Sequence, residues 1–178
     1  MSTITPLQAI RLTHNVLLKQ LITKGRLIGI TIIGLLPILL GWVIGRQSDD
    51  PLEAGVGFVS YMGLSILIPI VALIFASASL GDTREDGTLV YLWLRPISRL
   101  SVSTGAWAAS VTIALPLTVI PMTISAILLD AGNSVITSTI VTSILAVLAY
   151  SSLFVILGLI VKNPVLWGLA YIFIWEAI

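Results

Sequence analysis

Residues 27–44 are eighteen consecutive positions without a charged side chain, and that run restricts the chain more than any other feature. Lipid offers no partner for backbone N–H and C=O groups, so a run of this kind crosses a bilayer only as a helix. At 1.5 Å per residue it covers about 27 Å, close to the thickness of the hydrocarbon core. Further apolar runs follow at 56–80, 102–129 and 135–161. Hydrophobic residues make up 57% of the chain and charged ones only 10%, with a mean hydropathy of +1.10, whereas a soluble domain is about a quarter charged. The predicted fold is therefore all-α, a polytopic helical bundle forming a single transmembrane domain in the lipid bilayer. A fifth run, 165–178, has fourteen residues, too few for a helical span; either the natural protein continues past it, the favoured expectation, or the segment is re-entrant.

The first 26 residues carry Arg11, Lys19, Lys24 and Arg26 and no acid. Thr5, Pro6 and Gln8 have the spacing of a capping box with proline at the first helical position. Leu7, Ile10, Leu17 and Leu21 then share one face, and Arg11, Asn15 and Lys19 another. The prediction is a basic amphipathic helix on the membrane surface, with His14 packing at the interface. Two small-xxx-small pairs, Gly25/Gly29 and Gly41/Gly45, suit the close approach of another helix. Pro37, Pro69, Pro116 and Pro121 fall inside the apolar runs and predict bends. Between the third and fourth runs, Asp130-Ala131-Gly132-Asn133 is short enough to make those two an antiparallel hairpin. The Ser and Thr residues of 135–161 can bond back to their own helix or across to a neighbour, and they do not by themselves point to a polar pathway.

Basic residues predict the orientation. With the N-terminus in the cytoplasm, eight of the nine Lys and Arg residues lie inside; reversed, only one does. Segment 81–101 is then cytoplasmic, and the 46–53 and 130–133 loops face outward. Net charge is +1, so no global field favours nucleic acid. Cysteine is absent, His14 stands alone, and neither a metal site nor a cofactor site is predicted.

Segment 81–99 is the one long stretch between apolar runs with concentrated charge: Asp82, Arg84, Glu85, Asp86, Arg95 and Arg99. Gly81 is expected to end the second span, and Asp82, Glu85 and Asp86 to form an acidic patch. Within the segment, Leu89-Val90-Tyr91-Leu92-Trp93-Leu94 is entered through Gly87-Thr88 and left through Pro96. Thr88 can cap a short helix that Pro96 must end, and Ser98 can cap the next one. An apolar run of this kind outside the bilayer needs a cover. Either a soluble partner docks on it, or Tyr91 and Trp93 anchor it at headgroup depth.

Glu85-x-Gly87-Thr88-Leu89, followed by Pro96-Ile97-Ser98-Arg99 and Gly105, resembles the cytoplasmic loop of the membrane subunits of type-2 ABC exporters, the ABC-2-type permeases. The N-terminal basic helix resembles that family's connecting helix, and residues 171–176 the end of its fifth span. The resemblance implies that Glu85, Gly87, Thr88 and Leu89, with Tyr91, Leu92 and Trp93, seat in a groove of an ATPase subunit, and that Pro96, Ser98 and Arg99 form the return. It also implies six spans in a full-length chain, two permeases (a second copy or a sister subunit) working with two ATPase subunits, ATP and Mg²⁺ bound by those subunits, and residence in a bacterial cell membrane. No G-x-x-x-x-G-K-[ST] occurs in the chain, so ATP is not held here by that device.

The competing readings are an ATP-independent carrier or channel and a membrane anchor for a soluble complex. Carriers place ionisable residues within the membrane, and the four complete runs have none. Glu176 is the one acid inside an apolar run and is read as the boundary of the fifth. An intramembrane enzyme is disfavoured because the spans hold no His or paired carboxylates.

Overall fold

A computed structural model describes residues 5–85, 87 and 98–176, without the side chains of Glu85, Trp175 and Glu176. Thr5 opens the first helix as its spacing predicts: its backbone N–H donates to Gln8 Oε1 at 3.1 Å while its hydroxyl accepts from the Gln8 N–H. Helix α1 spans Pro6–Leu21, α2 Lys24–Gln47, α3 Pro51–Phe58, α4 Ile68–Glu85, α5 Arg99–Leu128, α6 Gly132–Ile160 and α7 Pro164–Tyr171. A π-helical stretch, Val59–Leu67, joins α3 to α4, and another, Ile172–Glu176, follows α7. No strand occurs among the described residues. Among the described residues, four helices are long and apolar enough to cross a membrane: α2, the rod Pro51–Arg84, α5 and α6. The helix Pro164–Ile174 is apolar but shorter.

The second span departs from its predicted limits at both ends. It starts at Pro51 rather than near Val56, because Asp50 Oδ1 accepts from the Leu52 and Glu53 N–H groups at 3.1 and 3.2 Å, with Pro51 at the first helical position. It also runs through Gly81 to Glu85. Gly81 is a helical position facing Pro164 and Gly158, where an added Cβ would make ordinary contacts at 3.6 Å to Pro164 Cγ and 3.8 Å to the Gly158 carbonyl oxygen. The turn comes at Gly87, whose φ of +68° is left-handed and whose N–H donates to the Arg84 carbonyl at 3.2 Å.

The prolines sit within helices that continue past them. Pro69 is absorbed in a particular way. A proline ring clashes with the carbonyl four residues back, and here the preceding nine residues, Val59–Leu67, are wound wide, with the Ile68 N–H reaching the Gly63 carbonyl five residues back.

Helix α4 is the axis of the bundle. Ile68, Val71, Ala72, Phe75, Ala76 and Leu80 are buried, and α1, α5, α6 and α7 pack around it. A helix that is apolar on all sides belongs in an interior. On α2, by contrast, Ile28, Ile32, Leu35, Leu36 and Leu39 are exposed, the arrangement expected where lipid is the cover. Helices α5 and α6 form the predicted hairpin, turning over Leu129-Asp130-Ala131 with Asp130 at φ +52° and Gly132 at +84°. The Trp107 indole N–H reaches across to the Leu148 carbonyl at 3.3 Å.

The Gly41/Gly45 pair admits another helix as expected, α5 of the same chain: a Cβ on Gly41 would stand 3.0 Å from Ser125 Cβ, and one on Gly45 would run into the Leu128 carbonyl oxygen. Helix α1 turns its apolar face to protein, not to lipid. Ala9, Thr13, Leu17 and Leu21 are buried, Ile10 is half-buried, and Leu7 is 79% exposed. The cause is Gly105 on α5, where a Cβ would stand 2.8 Å from Thr13 Cβ. Outward on α1 remain Leu12 and Val16 beside Arg11, Asn15 and Lys19.

Candidate functional site

The segment predicted to meet a partner leaves from α4 and returns into α5. Glu85 is the last residue of α4, Gly87 is the turn, Ser98 caps α5 and Arg99 is its first residue. The cap is the one the sequence predicts: Ser98 Oγ accepts from the Ser101 N–H at 3.1 Å and pairs with Ser101 Oγ at 2.7 Å. Thr88, Leu89, Tyr91, Leu92, Trp93 and Pro96 lie outside the described residues, as do Asp86, Arg95 and the side chain of Glu85. The predicted short helix of 89–94 lies there too.

What is described is the base on which that segment stands, and it is braced. Arg26, in the first turn of α2, donates to Asp82 Oδ2 at 2.6 Å, tying the start of the first span to the end of the second. Both side chains are about 30% exposed (29% and 31%), so the pair is partly desolvated and held against Debye screening better than a surface pair. Asp82 is thus bound to a cation; the other members of the predicted acidic patch, Asp86 and the Glu85 side chain, lie outside the described residues. Two residues on, Arg84 Nη1 donates to the carbonyls of Leu159 and Val161 at 2.9 and 3.1 Å. Those groups belong to the C-terminal turn of α6, where carbonyls lack helical partners and the dipole favours a cation. Thr83, between them, is buried and bonds the Leu80 carbonyl at 2.8 Å.

The start of α2, the end of α4 and the end of α6 therefore meet at one end of the bundle, the basic end. Helix α5 begins there as well, and α1 is docked along its first turns: Thr13 meets Gly105, and His14 Nε2 lies 3.1 Å from Thr112 Oγ1. The opposite end holds Asp49, Asp50, Glu53 and Asp130 together with Arg46, whose guanidinium carbon stands 4.0 Å over the Trp42 ring. Among the described residues, no three His, Asp or Glu side chains converge as metal ligands would.

Sequence reasoning placed the Ser98 helix cap correctly and missed Arg26 and Arg84 as braces. A signal was available for the first. Antiparallel first and second spans bring residue 26 and residue 82 to the same depth, and the two are of opposite charge. For Arg84 there was none, because its partners are backbone carbonyls some 75 residues away. Comparison with protein-family models, with curated proteins and with solved structures finds no match.

Proposed function

We propose that the chain is the transmembrane subunit of an ATP-driven exporter, residing in a bacterial cell membrane with its N-terminus in the cytoplasm and coupled to separate ATPase subunits through residues 85–99. One observation supports this above the others. The segment carrying the apolar run 89–94 is inserted between two helices that are each fastened to further helices at the same end: α4 to α2 by Arg26–Asp82 and to α6 by Arg84, and α5 to α1 at Gly105. A displacement of the segment by a closing pair of ATPases would move most of the bundle rather than unwind one strand of it. A bare anchor would have no use for such bracing. An ion-coupled carrier fits less well, because the described ionisable residues gather at the two ends of the spans and not within them.

Mild solubilisation from the native membrane, with identification of bound proteins by mass spectrometry, tests the reading. A soluble subunit carrying a phosphate-binding loop should stay with the intact chain, confer ATP hydrolysis on the preparation, and be lost when Leu89, Tyr91 and Trp93 are changed together to Ser. A well-folded intact chain that retains no such subunit would return residues 89–94 to interfacial anchoring.

A further inference from the structure

At the basic end the apolar part of the bundle gives way to charge within a narrow band, and two grooves open there. The first, of about 470 Å³, is polar at Arg26, Asp82 and Asn163 and apolar at Ile74, Val165 and Leu166. The second, of about 330 Å³, lies between Arg84, Gly158 and Lys162, and both grooves are lined by Gly81 and Pro164. Among the described residues, the two grooves set three cations against one carboxylate. Asp82 offsets Arg26. Arg84 is bonded to carbonyls, which orient its charge without cancelling it. Lys162 is exposed and makes no ion pair among the described residues.

The apolar wall of the first groove is itself exposed, with Val165 at 47% and Leu166 at 65%, and the neighbouring Trp167 at 62%. In a bundle that crosses a bilayer, Trp beside Lys marks the level of the headgroups. A cationic rim next to an exposed apolar wall at that level complements a molecule that is anionic at one end and hydrocarbon at the other. We propose that the paired grooves hold an anionic phospholipid, its headgroup phosphate at Arg84 and Lys162 in the second groove and an acyl chain along Ile74 and Leu166 in the first. The inference needs only that the four long helices span a membrane and does not rest on the exporter reading. A soluble phosphate would share the headgroup contacts and gain nothing from the wall.

The test is a thermal-unfolding titration of the purified full chain in a neutral detergent with phosphatidylglycerol, phosphatidylcholine and inorganic phosphate in parallel. Phosphatidylglycerol should raise the midpoint, the other two should not, and native mass spectrometry should find it retained. Lys162→Ala should weaken the apparent affinity about fivefold, the loss of one juxtamembrane cation. Leu166→Ser should weaken it as well, while Arg46→Ala, a cation removed from the opposite end, should titrate as the parent chain does. Equal stabilisation by phosphatidylcholine would overturn the proposal, as would its reproduction by inorganic phosphate. So would either Lys162→Ala or Leu166→Ser titrating unchanged.

Discussion

Gly158 and Gly29 are both helical glycines, and only their surroundings tell them apart. A Cβ on Gly158 would run into the Ser77 carbonyl oxygen, whereas one on Gly29 would meet nothing within 4 Å. Backbone cannot yield as a side-chain tip can, so Gly158→Ala should destabilise by about 1–3 kcal/mol. Gly29→Ala should be neutral or gain up to about 1 kcal/mol from lost chain entropy. Unfolding midpoints of the two variants in one detergent decide this, and a Gly158→Ala chain as stable as its parent would mean that α4 and α6 are further apart. A second prediction concerns Arg26 and Asp82. Their double-mutant cycle to Ala should give a coupling of about 0.2–1 kcal/mol, shrinking as salt is raised, because both groups keep some contact with water. A salt-independent coupling would place the pair in a drier site. At this scale the sequence was a partial guide. The Thr5 and Ser98 caps follow from spacing within four residues, but whether a glycine serves as stop, seam or open surface depends on residues far along the chain. Gly81 shows this: followed by a charge, it reads as a helix end, yet the helix runs through it to Glu85.

Among the elements, the long spans were legible because a run of uncharged residues has one solution in lipid, and their limits were less so. The Asp50-Pro51 start extended the second span by a turn, and the π-helical stretch before Pro69 has no periodic signature that separates it from an ordinary helix. Helix α1 was predicted in place and type but not in contact, since the Leu17 and Leu21 face suits lipid and protein equally and Gly105 decides between them. That contact supports a prediction. Gly105→Leu should push α1 off α5, so that trypsin cuts at Arg11 and Lys19 in the folded chain much faster than in the parent, while the spans stay helical by circular dichroism. Unchanged cleavage would show that α1 is held by something other than this seam. Of the segment predicted to meet a partner, the described residues are its two ends, where one helix stops at Glu85 before the Gly87 turn and the next starts at the Ser98 cap.

For the molecule as a whole, the distribution of charge makes the orientation testable. The chain lacks cysteine, so single cysteines can be placed without first removing others. An impermeant thiol reagent applied to intact cells should label Asp49→Cys and Asn133→Cys at the end opposite the braces, and should reach Leu7→Cys and Asn163→Cys only after permeabilisation. The reverse pattern would invert the molecule and put residues 85–99 outside. One further consequence belongs to the hairpin of α5 and α6. The Trp107 indole is pinned by its N–H to the Leu148 carbonyl, half-buried between two helices, where the dipoles around its excited state cannot relax. Its emission should therefore be blue and insensitive to soluble quenchers. If α5 and α6 part when the bundle moves, the same ring becomes wet and its emission shifts to the red. In a chain whose other four tryptophans, Trp42, Trp93, Trp167 and Trp175, are replaced by Phe, a single native fluorophore would thus report the opening of that seam in real time.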